Sequence, residues 1–211
     1  MTKSLFQHFK ADARFYRDIT HGRTRGGLPL LWSIISSPGL WMLTFHRVAY
    51  YSTCHRNHRN HRSALWWMMR VLESLGTYLN AVICTSEIAA DCDIQGPIYL
   101  SNKGLYIFGA LRVGAGCVIH HHVTFGMAVA DGKQHRPTVG ANVWIGPDCV
   151  IAGNPHIGDG ATLLPGTYLT RSVPPDTVVE GNPARIIRRN FDNTELRSSL
   201  TIVTETPALQ S

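Results

Sequence analysis

The stretch "VGANVWIGPDCVIAGNPHIGDGATLLPGTYL" (Val139 to Leu169) repeats itself every six residues. An aliphatic residue stands at Val139, Ile145, Ile151, Ile157, Leu163 and Leu169, with a small or compact residue two places before many of them, at Val143, Cys149, Ala161 and Thr167. Such a period is the sign of a parallel β-helix, in which three short strands joined by turns make a triangular coil of about eighteen residues. Coils stack at the strand spacing of roughly 4.8 Å. The aliphatic must point into the narrow prism, the compact residue fits where strand meets corner, and Gly after the aliphatic (Gly140, Gly146, Gly158) tolerates the turn.

Working outward, the same spacing recurs at Ile88, Ile94 and Leu100 and again at Val113, Ile119 and Phe125. It breaks by one extra residue between Leu100 and Val113 and by two between Phe125 and Val139. Cys92, Cys117 and Cys149 fall on the compact inward position, which makes them structural thiols. The five cysteines are odd in number and never in a CxxC pair, so no disulfide framework is expected. The N-terminus lacks the apolar region of a signal peptide, and a reducing, cytoplasmic setting follows as an expectation.

Composition is that of a globular chain, 44% hydrophobic and 16% charged, with a net charge of +6. A basic balance suits nucleic acid, anionic lipid or a polyphosphate-bearing ligand. Neither zinc-finger spacing nor an RNA-binding aromatic motif is present, which argues against nucleic acid. Residues 1–83 read as a helical domain, residues 84–187 as the β-helix and residues 188–211 as a loosely held tail. "LPLLWSIISSPGLWMLTF" (Leu28 to Phe45) has no charge, yet Ser36, Ser37, Pro38 and Gly39 interrupt it. Two short buried helices fit it better than a membrane span, and peripheral membrane contact through Trp32 and Trp41 stays open. "CHRNHRNHR" (Cys54 to Arg62) reads as a solvated loop between helices.

The hexads and their closing "VPPDTVVEGNPARII" (Val173 to Ile187) resemble the left-handed β-helix acyltransferases. With Arg17-Asp18, "SPGLWMLTFHRVAYY" and the hexads from "EIAADCDIQG" onward, the chain is similar to their serine acetyltransferase branch over roughly residues 10–190. The resemblance implies a mainly β fold with a helical N-terminal part, a homotrimer or dimer of trimers, and acetyl-CoA as co-substrate with no metal. It implies transfer of acetyl to a hydroxyl of a small acceptor, serine by family default. Ala152 and Gly153 on the coil, with Arg185 and Arg188 near its end, are the expected coenzyme contacts. The partner-binding tail of the family ends in isoleucine; this chain ends "ALQS", so that complex is not expected.

The chain departs from the family where chemistry is concerned. The catalytic histidine belongs to an Asp-His pair supported by an upstream Asp, and those positions here read Ser101, Asn102 and Glu87. Asn102 cannot act as a base and is left as a substrate contact. Asp18 matches an Asp that touches serine, and the following loop carries His135-Arg136-Pro137 in place of Arg-His-Pro, with Arg136 as a substrate contact. A hydroxyl needs a base to take its proton. His135 is the first candidate, followed by His121 and His122 in the run "IHHHV". His120, His121 and His122 lie between inward Ile119 and Val123, so they are expected to point outward or along a turn, and adjacent side chains diverge too much for one chain to supply three metal ligands from the run. The altered acceptor residues favour a sugar or polysaccharide intermediate over serine. Transfer of a longer acyl group or transfer to an amine is a second enzymatic possibility. The alternative of another class is a non-catalytic trimeric scaffold that has lost its histidine.

Overall fold

The computed structural model describes residues 5–21, 37–55, 64–101, 104–107, 112–130 and 133–198. Three helices come first: α1 (Leu5–His21), α2 (Pro38–His55) and α3 (Ala64–Cys84). No described helix is long and apolar enough to cross a membrane. Within Leu28 to Phe45, the described part is the start of α2, whose proline occupies its first turn, where no amide donor is needed. The segment before it and residues 56–63 lie outside the described residues.

From Glu87 the chain winds into a prism of three parallel sheets. The first holds β1 (Glu87–Ile88), β4 (Tyr106–Ile107), β7 (Thr124–Gly126), β12 (Val150–Ala152) and β15 (Tyr168–Leu169). The second holds β2 (Asp93–Ile94), β5 (Arg112–Val113), β10 (Thr138–Val139) and β13 (His156–Ile157). The third holds β3 (Tyr99–Leu100), β6 (Val118–Ile119), β11 (Trp144–Ile145), β14 (Thr162–Leu163) and β16 (Thr177–Glu180). The aliphatic of each hexad points inward, and Ile107, Phe125, Ile119, Ile145 and Ile151 are fully buried. Each contributes about 1.5–3 kcal/mol on burial. Cys92, Cys117 and Cys149 are equally buried, as their spacing required, and desolvation pushes the Cys117 and Cys149 thiols up to about 12.

Register corrects the sequence count in two places. The extra residue after Leu100 falls before Ile107, a buried inward position that the hexad reading passed over. Phe125 and Val139 occupy consecutive sheets, so the step between them is fourteen residues where six is usual. The surplus is far larger than two residues, and it forms an antiparallel hairpin of β8 (Ala128–Ala130) and β9 (Lys133–His135).

Both ends of the prism are closed. At the first coil, Tyr16 Oη donates to the Leu100 carbonyl and accepts from its amide, each at 2.8 Å. Gly39 lies so close that an added Cβ would fall 2.1 Å from that carbonyl oxygen, so only glycine fits. Arg47 donates to the carbonyls of Ile94 (2.9 Å) and Gly96 (2.7 Å) while pairing with buried Asp12 at 2.8 Å. His46 Nε2 meets the Cys92 carbonyl at 3.1 Å. At the far end β17 (Arg185–Arg189) returns antiparallel to β16. Residues 190–198, the described start of the segment read as a tail, pack back along the prism. Asn193 is buried and donates to the carbonyls of Asn142 (2.9 Å) and Gly160 (3.0 Å), and the short α4 (Thr194–Ser198) places Arg197 on Asn142.

Replacing Arg47 with Ala strands a buried carboxylate and two carbonyls at once. Arg47→Ala is expected to lose about 3–5 kcal/mol in urea unfolding, and a loss below about 1 kcal/mol, the size of a typical surface pair, would show that the pair does not hold the helices to the prism.

Candidate active site

The turns from the third sheet back to the first form one corner of the prism. Register stacks Gly104, His122, Asp148 and Gly166 there in successive coils. All four have left-handed backbone conformation, with φ of 69°, 57°, 59° and 72°. Histidine and aspartate are among the few non-glycine types that tolerate this region. The side chains of His122 and Asp148 each reach toward the coil before their own. The His122 ring covers Gly104, where an added Cβ would lie 2.2 Å from its Cδ2, and Asp148 Oδ1 sits 3.2 Å from His122 Nδ1. Both members of this pair are more than 60% exposed.

The run of three histidines therefore divides. His120 was expected at the surface, but it is buried against Trp144 with ring centroids 4.9 Å apart. Desolvation, with a smaller contribution from His121, pushes its pKa down to about 4. His121 and His122 were expected to diverge. Instead their rings meet edge to face at 5.2 Å, because the left-handed turn at His122 brings them together. Ligand-type atoms of His121, His122 and Asp148 all lie within 4.8 Å of one another, the one such group among the described residues that could hold a metal.

The remaining candidates lie elsewhere. His135 ends β9 of the hairpin, at the corner between the first and second sheets, and its side chain is outside the described set. Arg136 turns back along that corner to an ion pair with Asp91 at 3.2 Å. Ala152 and Gly153 occupy the same corner beside the hairpin: Ala152 pairs with Gly126, and nothing lies within 4 Å of the space a Gly153 Cβ would fill. Arg185 and Arg188 are exposed on β17, with the Arg188 guanidinium 5.2 Å from the Phe191 ring centre. Asp18 is held by its neighbour Arg17 at 2.6 Å. Asn102 lies outside the described residues, Ser101 is half-buried beside the capped Leu100, and Glu87 is exposed on β1. One chain thus gathers His121 and His122 at one corner, and His135, Arg136, Ala152 and Gly153 at another. Asp148 was missed by sequence reasoning, since no motif links it to His122.

Two imidazoles carry a stability consequence. Burial, with Arg47 nearby, pushes His46 down to about 4, and His120 is held equally low. Unfolded, each titrates near 6.5. The unfolded chain then binds more protons below that value, so stability is full above it and falls as pH drops from 6.5 toward 4. The loss approaches about 3 kcal/mol for each histidine. Urea unfolding at neutral and mildly acidic pH is expected to show it, and His120→Leu is expected to flatten the difference; an unchanged slope in that variant would mean that His120 is protonated in the fold.

A family model, "Bacterial transferase hexapeptide (six repeats)", matches residues 136–171. The chain is 30% identical over 189 residues to the serine acetyltransferase of Synechococcus elongatus, covering 88% of this chain and 70% of that protein. Soybean serine acetyltransferase complexed with serine superposes with a TM-score of 0.71 at 26% identity, covering 87% of this chain and 70% of the soybean chain. The serine acetyltransferase of Brucella abortus in complex with coenzyme A shares the fold at a TM-score of 0.71 and 20% identity, over 87% of this chain and 68% of that one. Hexads, corner turns, closing motif and these likenesses coincide along the chain, which belongs to the serine acetyltransferase-like family of left-handed β-helix, hexapeptide-repeat acyltransferases.

Proposed function

We propose that this protein transfers acetyl from acetyl-CoA to a hydroxyl of a small acceptor. The observation that carries this reading is an outward-facing imidazole beside a carboxylate, His122 and Asp148, on the surface of an acyltransferase prism. The base comes from the candidate histidines His121, His122 and His135. It takes the hydroxyl proton as the oxygen attacks the thioester carbonyl, and a base of this kind contributes on the order of 10²–10⁴-fold. Backbone N–H groups of the coil stabilise the tetrahedral oxyanion. Collapse breaks the carbon–sulfur bond, and the imidazolium returns the proton to the leaving thiolate.

The coenzyme fits the corner that bears Ala152 and Gly153. The open space over Gly153 admits an extended chain against the backbone, and Arg185 and Arg188 offer exposed guanidinium groups to phosphates. The binding of coenzyme A by the Brucella abortus enzyme of the same fold supports this. Because His122 and His135 belong to different corners, a trimer in which neighbouring prisms share a cleft is the arrangement that brings both toward one acceptor. Exposed Trp67, Val71, Leu75, Tyr78 and Val82 along α3 support pairing of two trimers through their helical ends.

The acceptor is a sugar or polysaccharide intermediate. Asn102 stands where the family carries its histidine, and Asp18 is already paired with Arg17. Thiol release from acetyl-CoA, followed with serine and with a panel of sugars, is expected to show turnover with a sugar hydroxyl. Turnover with serine alone would restore the family acceptor. Failure to bind acetyl-CoA at all would leave the non-catalytic trimeric scaffold as the better description.

A further inference from the structure

We infer that His122, oriented by Asp148, is the general base of this enzyme, and that it stands one coil along the same prism corner from the family's histidine position. The assignment rests on the acetyl-transfer reading above and narrows it to one side chain.

In sequence, Asn102 precedes Gly104 by two residues, and the His122 ring lies directly over Gly104. Moving the base from the coil of Gly104 to the coil of His122 displaces it along the prism axis by one strand spacing, roughly 4.8 Å, and further along the turn, because counting from Leu100 and Ile119 sets Asn102 level with His121. The corner is unchanged, so it faces the same side of the prism. The carboxylate does not shift in parallel, since Tyr106 stands one coil along from Glu87; His122 is served instead by Asp148, from the coil that follows its own.

The contact fixes the tautomer. A carboxylate oxygen only accepts, so the hydrogen bond at 3.2 Å requires the proton on Nδ1. Nε2 then carries the lone pair that takes a proton from a hydroxyl. As the imidazolium forms, Asp148 stabilises its charge. His121 presses edge to face on the ring and holds its plane. Gly104 is what makes room for it, since any side chain there would meet the ring.

His120, His46, His156, His135 and His121 are less suited. His120 and His46 are buried, and His156 Nδ1 is bonded to Thr138 Oγ1 at 2.9 Å. His135 is on the other corner, where the adjacent Arg136 is tied to Asp91. Among the described residues the carboxylate contact falls on His122 and not on His121.

The test uses the full-length protein with an acceptor that turns over. His122→Ala is expected to lower kcat about 100-fold or more with KM for acetyl-CoA nearly unchanged. Added imidazole is expected to restore part of the rate, which a purely structural loss would not allow. Asp148→Asn is expected to lower kcat about 10-fold, again with KM held, and Asp148→Glu to recover some of it. Nitrogen NMR of the unliganded protein is expected to show His122 protonated at Nδ1, a readout independent of turnover. Undiminished turnover in His122→Ala, or imidazole rescue seen with His135→Ala instead, would overturn the assignment while acetyl transfer itself stands. Activity abolished by a chelator and restored by zinc would also overturn it, because His121, His122 and Asp148 would then be metal ligands. Absence of acetyl-CoA binding and of thioester cleavage by the unaltered protein would instead sink the underlying reaction.

Discussion

A parallel β-helix satisfies its backbone by handing each hydrogen bond to the next coil, so its first and last coils are exposed edges. Unpaired edge strands invite further pairing, and each buried carbonyl left without a donor costs about 1–3 kcal/mol. Here the helical domain closes the first coil: four of its carbonyls, on Cys92, Ile94, Gly96 and Leu100, are met by His46, Arg47 and Tyr16. These donors come from α1 and α2 at fixed points, so they also set where the first coil sits beneath the helices. The prism and its helical cap are one mechanical unit. Asp12 belongs to it as well, since it orients the guanidinium that serves two of the four carbonyls.

The prism was legible in the sequence because inward positions are chosen by one physical rule, repeated. Each hexad must place an apolar side chain in a narrow, dry channel, and Ile119, Ile145, Ile151 and Leu163 are all fully buried there. What the rule does not encode is a place where the chain leaves the prism and returns. The hairpin of β8 and β9 pairs only with itself, outside the three sheets of the prism, and a count across it that is wrong by even one strand puts Val139 on the wrong sheet. The packing of residues 190–198 was hidden for a related reason. Asn193 and Arg197 look like tail residues by composition, yet they bond carbonyls and an amide already displayed by the corner turns.

The candidate site was legible only in part. Residue types singled out His121 and His122, and these do share an exposed corner. The partner of His122 was invisible because Asp148 is twenty-six residues away, a separation set by one coil plus the hairpin surplus. Only the correct register brings the two together. His120 was misplaced by assuming that every residue between two inward positions faces water; Trp144, stacked one coil further on, covers it.

The corner that carries Gly104, His122, Asp148 and Gly166 works as a rack of equivalent sockets. Each socket presents the same backbone conformation, and glycine at 104 makes space for the His122 ring on the next level. Exchanging side chains between levels leaves the channel of aliphatics and the ladder of hydrogen bonds untouched. A reactive group can therefore migrate along the prism in steps of roughly 4.8 Å. In such a scaffold the size of an acceptor can be selected by the level at which chemistry is mounted, without remodelling a loop.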